Sequence, residues 1–554
     1  MTAQRTEFNL SSVFGAIAAE VPDREAVVWR DRRLTFAQID ERINRFAQVL
    51  ASAGLGHRRE RSELAGHESG QDHVAIYLRN GNEWIETWLG AYRARTVPMN
   101  VNYRYVDEEL LYLLNDSQAT ALVFHADFAP VVERVRAELP RIELLIQVAD
   151  DSGNALLDGA LAYEDCLAAA APTPPPVTPM PDDLYAIYTG GTTGMPKGVL
   201  WRQHDIFVQA MGGRPFGSPD AMTSYEAVAE NARNGGGLIR LLMIPPFMHG
   251  AAQWGSFHAF TNGSAVVIPD DVTRFDAADA LRIAEREKVS AIALVGDAMA
   301  RPMIDELERN RYDLSSLLAI SNGGAPMTPT VKARLLDLLP HVLLRDAVGS
   351  SETGIQMNKL SAAGSEVTSG TFERISDTVV VDATMTRILE PDDDEIGWLA
   401  QRGEVPLGYL GDAAKTARTF PVIEGVRHSI PGDRARLLPD GDVELLGRDA
   451  VTINSGGEKI FAEEVERAVA AHPGVSDVIV VGRPSERWGQ EVVAIVVAAE
   501  GAMLDDESLL AECSKHLARY KLPKAFIVRD RIERSPAGKA DYRWARDQAA
   551  AEPA

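Results

Sequence analysis

The reactive chemistry of this chain is most concentrated between Tyr188 and Val199, where the sequence reads Tyr-Thr-Gly-Gly-Thr-Thr-Gly-Met-Pro-Lys-Gly-Val. Gly190 and Gly191 let backbone N–H groups approach a ligand closely. The hydroxyls of Thr189, Thr192 and Thr193 donate to anionic oxygens, and Lys197 adds a compact positive charge. These are the parts of a loop that holds a polyphosphate. The Walker spacing is absent, because Met195 and Pro196 separate Gly194 from Lys197 and a glycine follows the lysine. A Gly/Thr-rich turn between a strand and a helix would use the same residue types, so the rest of the chain has to decide.

Further blocks follow in order. Pro245 to Gly250 contains His249. Ser321-Asn322-Gly323-Gly324-Ala325-Pro326 follows an apolar run, and Asp346-Ala347-Val348-Gly349-Ser350-Ser351-Glu352 follows another. Pro431-Gly432-Asp433, Gly447-Arg448-Asp449 and Asn454 to Ile460 come next, and Arg534 to Lys539 lies near the end. Together with the phosphate loop, these segments resemble the signature blocks of the adenylate-forming superfamily. Its members include AMP-forming acyl-CoA synthetases, peptide-synthetase adenylation domains and luciferases. The resemblance spans essentially the whole chain.

The resemblance implies roles by position. Thr189 to Thr193, Lys197 and Ser351 would hold the phosphates of ATP. Glu352 would bind Mg²⁺, a hard cation that favours carboxylate and phosphate oxygen together. Gly323, Gly324, Ala325, Pro326, Asp346, Ala347 and Val348 would lie along adenine, and Asp433 and Arg448 would reach the ribose. His249 and Gly250 would stand at the acyl pocket. Ser455, Gly456 and Gly457 would line the path of the pantetheine arm of CoA. Lys539, Thr193 and Glu352 would be catalytic. The chain departs from the family pattern at Gly190, where serine is common, and at Val348, where an aromatic residue usually stacks on adenine. Asn454 and Ala462 replace the usual lysine and proline, and the hinge position falls on Ala450 beside Asp449.

The elements that must position these blocks alternate. Apolar runs at 73–78, 121–124, 144–148, 239–244, 265–268, 291–295 and 317–320 are separated by helical stretches. This pattern predicts an α/β fold with buried, parallel-rich sheets sandwiched by helices. Glu25 to Trp29 reads as a strand, and Thr35 with Gln38 as a capping box opening a helix. Residues 171–181, six of them proline, read as a stiff connector. The expected division is a large N-terminal adenylation domain, 1–447, and a small mobile α+β domain, 448–554, carrying Lys539. In the latter, 463–470 and 508–517 read as helices, and 475–481 and 492–497 as strands.

The 554 residues are 45% hydrophobic and 25% charged, which favours a folded enzyme over disorder. A net charge of -24 argues against nucleic-acid binding and leaves anion binding to local donors. Cys166 and Cys513 make no disulfide framework and read as packing residues. No basic leader or long apolar segment is present, so a cytoplasmic location without a transmembrane segment is expected. A homodimer is a common outcome for such enzymes.

The resemblance implies a two-step reaction using ATP, Mg²⁺ and CoA. A carboxylate attacks the α-phosphorus to give acyl-adenylate and pyrophosphate, and then the CoA thiol displaces AMP. A carboxylic acid with a pKa of about 4.3 needs no base at neutral pH. The Gly-rich insertion from Gly212 to Gly237 and the wording Val101 to Tyr105 look like bacterial synthetases of the fatty-acid and steroid-side-chain type. A medium-to-long or polycyclic hydrophobic acid is expected. The alternatives are delivery of the acyl group to a separate carrier protein, nucleotide binding without turnover, and phosphotransfer, which would release ADP.

Overall fold

A computed structural model describes residues 6–190, 195–215, 217–324, 327, 329–365, 370–375, 377–393, 395–448, 452–499, 501–533 and 542–551. Its largest sheet contains both strand orientations. Glu25–Trp29, Ala265–Ile268, Arg240–Met243, Ala291–Leu294, Ala319–Gly323 and Leu343–Ser350 run parallel, in that spatial order. From Leu343–Ser350 onward the pairing becomes antiparallel, through Gly354–Ser361, Thr371–Arg374, Val443–Arg448, Asp433–Leu437 and Ile396–Arg402. The expected parallel, helix-covered half is therefore present, extended by an antiparallel half that the apolar runs do not reveal.

Apolar clusters cover both faces of the parallel half. One contains Ile292, Ile320 and Leu344 with residues of the helices Gly296–Arg309 and Pro329–Leu338. The other contains Leu241, Met243 and Val266 with Phe14, Phe36 and Phe46 and residues of Gly250–Thr261. Each fully buried phenylalanine there contributes roughly 1.5–3 kcal/mol. The helix Phe36–Ser52 opens on the expected capping box, with Thr35 and Gln38 exchanging hydrogen bonds.

A second sheet is wholly parallel: Val97–Asn100, His73–Tyr77, Ala119–His125, Leu144–Val148 and Leu161–Ala162. The phosphate-loop segment lies between two antiparallel strands, Leu184–Gly190 and Pro196–Arg202, and not between a strand and a helix. Gly408–Tyr409 pairs with the second of these strands.

The C-terminal strands form their own sheet: Glu458–Phe461, Thr452–Ser455, Gly489–Ala498 and Val475–Ser485, with Ala525–Val528 added in parallel. The helices Ala462–Ala470 and Asp506–His516 cover it around a separate core of Val465, Val469, Val480, Val492 and Cys513. Cys513 is buried and Cys166 half-buried, and both are free thiols.

Candidate functional site

The hairpin around the phosphate loop is fastened at its base. Thr189 pairs with Lys197, and Gly190 with Pro196. Lys197 Nζ lies 3.2 Å from Asp116 Oδ1, and the Tyr188 hydroxyl donates to Asp116 Oδ2 at 2.9 Å. Burial opposes the charge on Lys197, but Asp116 outweighs it, and the lysine pKa is raised. Asn100, buried at the end of its strand, accepts from Tyr188 N at 2.7 Å. Its amide donates to the carbonyls of Tyr188 at 2.9 Å and Met248 at 2.7 Å. One side chain thus ties the phosphate hairpin to the turn that carries His249.

Glu352 is tied to the same hairpin. Gly349 sits at an irregularity in the strand ladder, where an ideal Cβ would fall 2.1 Å from the carbonyl oxygen of Gly354. Only glycine allows this close return, which closes the turn bearing Ser351 and Glu352. Trp201 Nε1 donates to the Ser351 carbonyl at 2.8 Å. The Tyr409 hydroxyl donates to Glu352 Oε1 at 2.8 Å, and Ser429 Oγ to its backbone carbonyl at 2.5 Å. Glu352 is buried. Among the described residues no three metal-ligating side chains converge. A single carboxylate completed by phosphate oxygens is a normal Mg²⁺ arrangement, so Glu352 fits that role.

Neighbouring strands bring the residues expected around the nucleotide together. Gly323 stands in register with Ala347, and Asn322 with Asp346. Asp346 is buried, with Lys332 Nζ 2.5 Å from Oδ2 and Asn322 donating to Oδ1 at 2.8 Å. Gly324 takes φ +82°, a conformation that favours glycine. Val348 packs against the cluster of Met357, Phe372 and Leu437. Asp433 and Arg448 are direct cross-strand partners at the end of their ladder.

The small C-terminal unit docks at this site. Gly456 and Gly457 form a two-residue hairpin between Ser455 and Glu458, with φ +59° and +83°, as a type I′ turn demands. The turn reaches Val295, and Ser455 is buried. The next residue, Glu458, pairs with Arg104 and lies 3.4 Å from His249 Nε2. Part of the His249 ring stays exposed. Loss of water around the rest, and then the charge of Arg104, push its pKa down to about 3, so it is neutral. A second set of contacts surrounds this one. Lys521 Nζ lies 2.6 Å from Glu109 with both side chains buried, Asn102 donates to the Tyr520 hydroxyl at 2.9 Å, and His516 meets Glu108 at 2.9 Å.

His249 precedes the helix Gly250–Thr261, which packs on one face of the large sheet. Gly250 is packed closely by Ile187 and Trp254. Ala252, Trp254 and Phe257 point into the core, and Met299 packs on the opposite side of the sheet. The accessible stripe on the helix is Ala251, Gly255 and His258.

The structure therefore links the segments that carry Thr189, Gly190, Lys197, Ser351, Glu352, His249 and the Ser455–Gly457 turn through direct contacts. Gly191, Thr192, Thr193, Ala325, Pro326 and Lys539 lie outside the described residues, as does the Arg448 side chain. Asn100, Asp116, Tyr409, Arg104 and Glu458 are additions the sequence reading missed. Each is a single polar residue whose importance comes from distant partners.

Comparison with known proteins agrees with this architecture. The family model "AMP-binding enzyme" matches residues 14–410, and "AMP-binding enzyme C-terminal domain" matches 464–539. The medium-chain acyl-CoA ligase Mig of Mycobacterium avium is 56% identical over 549 residues, covering 99% of this chain and 100% of that protein. The 3-oxocholest-4-en-26-oate–CoA ligase of Rhodococcus rhodochrous is 39% identical, over 96% and 94% of the two chains. The amide bond synthetase McbA from Marinactinospora thermotolerans shares the fold, with TM-score 0.77 at 20% identity over 98% and 99%. With both family models matched in order and relatives aligned end to end, the chain belongs to the AMP-binding enzyme family, the adenylate-forming enzymes.

Proposed function

We propose that this protein is an AMP-forming acyl-CoA ligase that activates a hydrophobic carboxylic acid. The observation that supports the reading is the set of contacts that links the hairpin 184–202, the Glu352 turn, His249 and the Gly456–Gly457 turn. The division of labour follows the expected domains, 1–447 and 448–554. Thr189, Thr192, Thr193, Lys197 and Ser351 bind and orient the phosphates of ATP. Asp433 and Arg448 hold the ribose, and the segments around Gly323 and Asp346 hold adenine. Mg²⁺ on Glu352 supplies charge neutralisation at the phosphates when bound. Lys539 donates to the charge that develops as the carboxylate attacks the α-phosphorus, and its removal costs about 3 kcal/mol in that step.

Thioester formation needs no protein nucleophile. The thiol of CoA, with a pKa of about 8.5, attacks the acyl carbonyl and AMP departs. The glycine turn admits the thin pantetheine arm beside His249, and exchange between docked and withdrawn positions of the small unit separates the two steps. The names of the relatives, a medium-chain ligase and a ligase for a steroid side-chain acid, favour a medium-to-long or polycyclic acid. Among the described residues no helix is long and apolar enough to cross a membrane. A cytoplasmic homodimer completes the reading, checked by fractionation and light scattering.

The test is product analysis with ATP, Mg²⁺, CoA and a pool of carboxylic acids. AMP with one dominant acyl-CoA is expected. AMP and acyl-adenylate without thioester would indicate a carrier-protein acceptor. ADP, or no turnover with any acid, would refute the ligase.

A further inference from the structure

One face of the large sheet has a floor of small residues with a charged side chain at one end. Side chains alternate across a strand, so the register Ser321↔Arg345 and Gly323↔Ala347 puts these four residues on one sheet face. The opposite face, with Leu344 and Asp346, is filled by the helices on its side. Ser321, Gly323, Arg345 and Ala347 are all only half-buried, although their strands lie in the middle of the sheet. An ideal Cβ on Gly323 would meet only the Ala347 carbonyl oxygen, at 3.7 Å, so space is open above it. The helix wall facing this floor presents Ala251, Gly255 and His258.

Arg345 interrupts this lining of small side chains. Its guanidinium makes no hydrogen bond or ion pair with any described residue, and burial alone acts on its pKa, lowering it. Arginine cannot shed its charge by deprotonation, so it stands there with its donors unused. His258 lies within reach of that charge. Burial and then Arg345 lower its pKa to about 4, which keeps the imidazole neutral. From Gly349, beside the Glu352 turn, to Arg345 is four residues of strand, or about 13 Å at the usual rise. A medium-length acyl tail spans that distance.

We propose that Arg345, with His258 beside it, forms a distal subsite that binds an acceptor oxygen on the tail of the acid, a keto or carboxylate oxygen. The proposal rests on the acyl-CoA ligase reading and narrows its substrate class to tail-oxygenated hydrophobic acids. A guanidinium fork donates two parallel hydrogen bonds to the two oxygens of a carboxylate, or a single charge-assisted one to a keto oxygen, and an unsubstituted tail would leave those donors unpaired.

The test compares kcat/KM for AMP formation with decanoate, 9-oxodecanoate and decanedioate, in the wild type, Arg345→Met and Arg345→Lys. The wild type is expected to prefer at least one oxygenated acid over decanoate by tenfold or more. Arg345→Met should collapse that ratio, and Arg345→Lys should keep part of it. An ATP-induced thermal shift in each variant confirms a folded nucleotide site. A preference for decanoate in the wild type, or an unchanged ratio in folded Arg345→Met, overturns the subsite alone. No AMP from the wild type with any acid in the pool would overturn the ligase reading and the subsite with it. If only the keto acid is preferred, the subsite recognises a carbonyl; if only the diacid is, it recognises a carboxylate.

Discussion

Replacing Gly457 by alanine should separate the two half-reactions. Gly457 has φ +83°, and an ideal Cβ there would lie 2.4 Å from Val295 Cγ1. The backbone strain, about 1–2 kcal/mol, belongs to the hairpin and is present whether or not the small unit is docked. The overlap with Val295 exists only in the docked arrangement. Valine has no flexible end to swing away, so relief requires shifting backbone, at about 1–3 kcal/mol for an overpacked contact. That difference acts on docking alone, and at 1.4 kcal/mol per decade it lowers a docking-dependent rate roughly 5- to 150-fold. Pyrophosphate exchange reports adenylation, and single-turnover conversion of preformed acyl-adenylate with CoA reports thioester formation. Gly457→Ala should cut the second by about fivefold or more and change the first by less than about threefold. Adding Val295→Ala should recover most of the loss. Equal loss in both half-reactions, or no rescue by the smaller residue at 295, would refute the docking argument.

Breaking the buried Lys521–Glu109 pair by Lys521→Met removes the cation facing the buried Glu109 carboxylate and should cost docking about 3–5 kcal/mol; Lys521→Met with Glu109→Leu should be milder, as read by the same single-turnover assay. Asn100→Ala removes three buried hydrogen bonds and leaves their partners unsatisfied, so melting should fall by several degrees and adenylation should weaken, as measured by calorimetry and pyrophosphate exchange. Glu108 raises the pKa of His516 through their hydrogen bond, so this contact aids docking fully below the ordinary histidine value of about 6.5 and is lost as pH rises through the raised value. The ratio of wild-type to Glu108→Gln thioester rate should therefore be largest near pH 6 and fall towards one by pH 8, and a flat ratio would remove the pair from docking. Lys539→Ala should slow adenylation by about a hundredfold or more, with a much smaller effect on thioester formation from preformed adenylate.

Much of the parallel architecture was legible because buried parallel strands are continuous apolar runs. The runs at 144–148 and 265–268 appear unchanged as Leu144–Val148 and Ala265–Ile268. The antiparallel half was not legible. Strands such as Ile396–Arg402 and Asp433–Leu437 are half-buried and carry charged residues, so they lack that signature. The phosphate loop was readable as chemistry, but its setting between antiparallel strands was not, since Pro196 and Gly198 disguise a strand. Site residues found by motif carry their signal in local spacing. Asn100 and Asp116 do not, because their meaning lies in partners more than seventy residues away along the chain. Arg345 was invisible for the same reason: only the register with Ser321 shows that it shares a sheet face with Gly323 and Ala347.

In the proposed reaction the acid is activated by bonding its own oxygen to the α-phosphorus. Incubating the protein with ATP, Mg²⁺, CoA and an accepted acid labelled with ¹⁸O in both carboxylate oxygens follows that oxygen directly. Attack on the α-phosphorus and departure of AMP after thiol addition must leave one heavy oxygen in AMP and one in the thioester. Singly labelled AMP is the predicted result, and unlabelled AMP, or ADP in its place, would contradict the account.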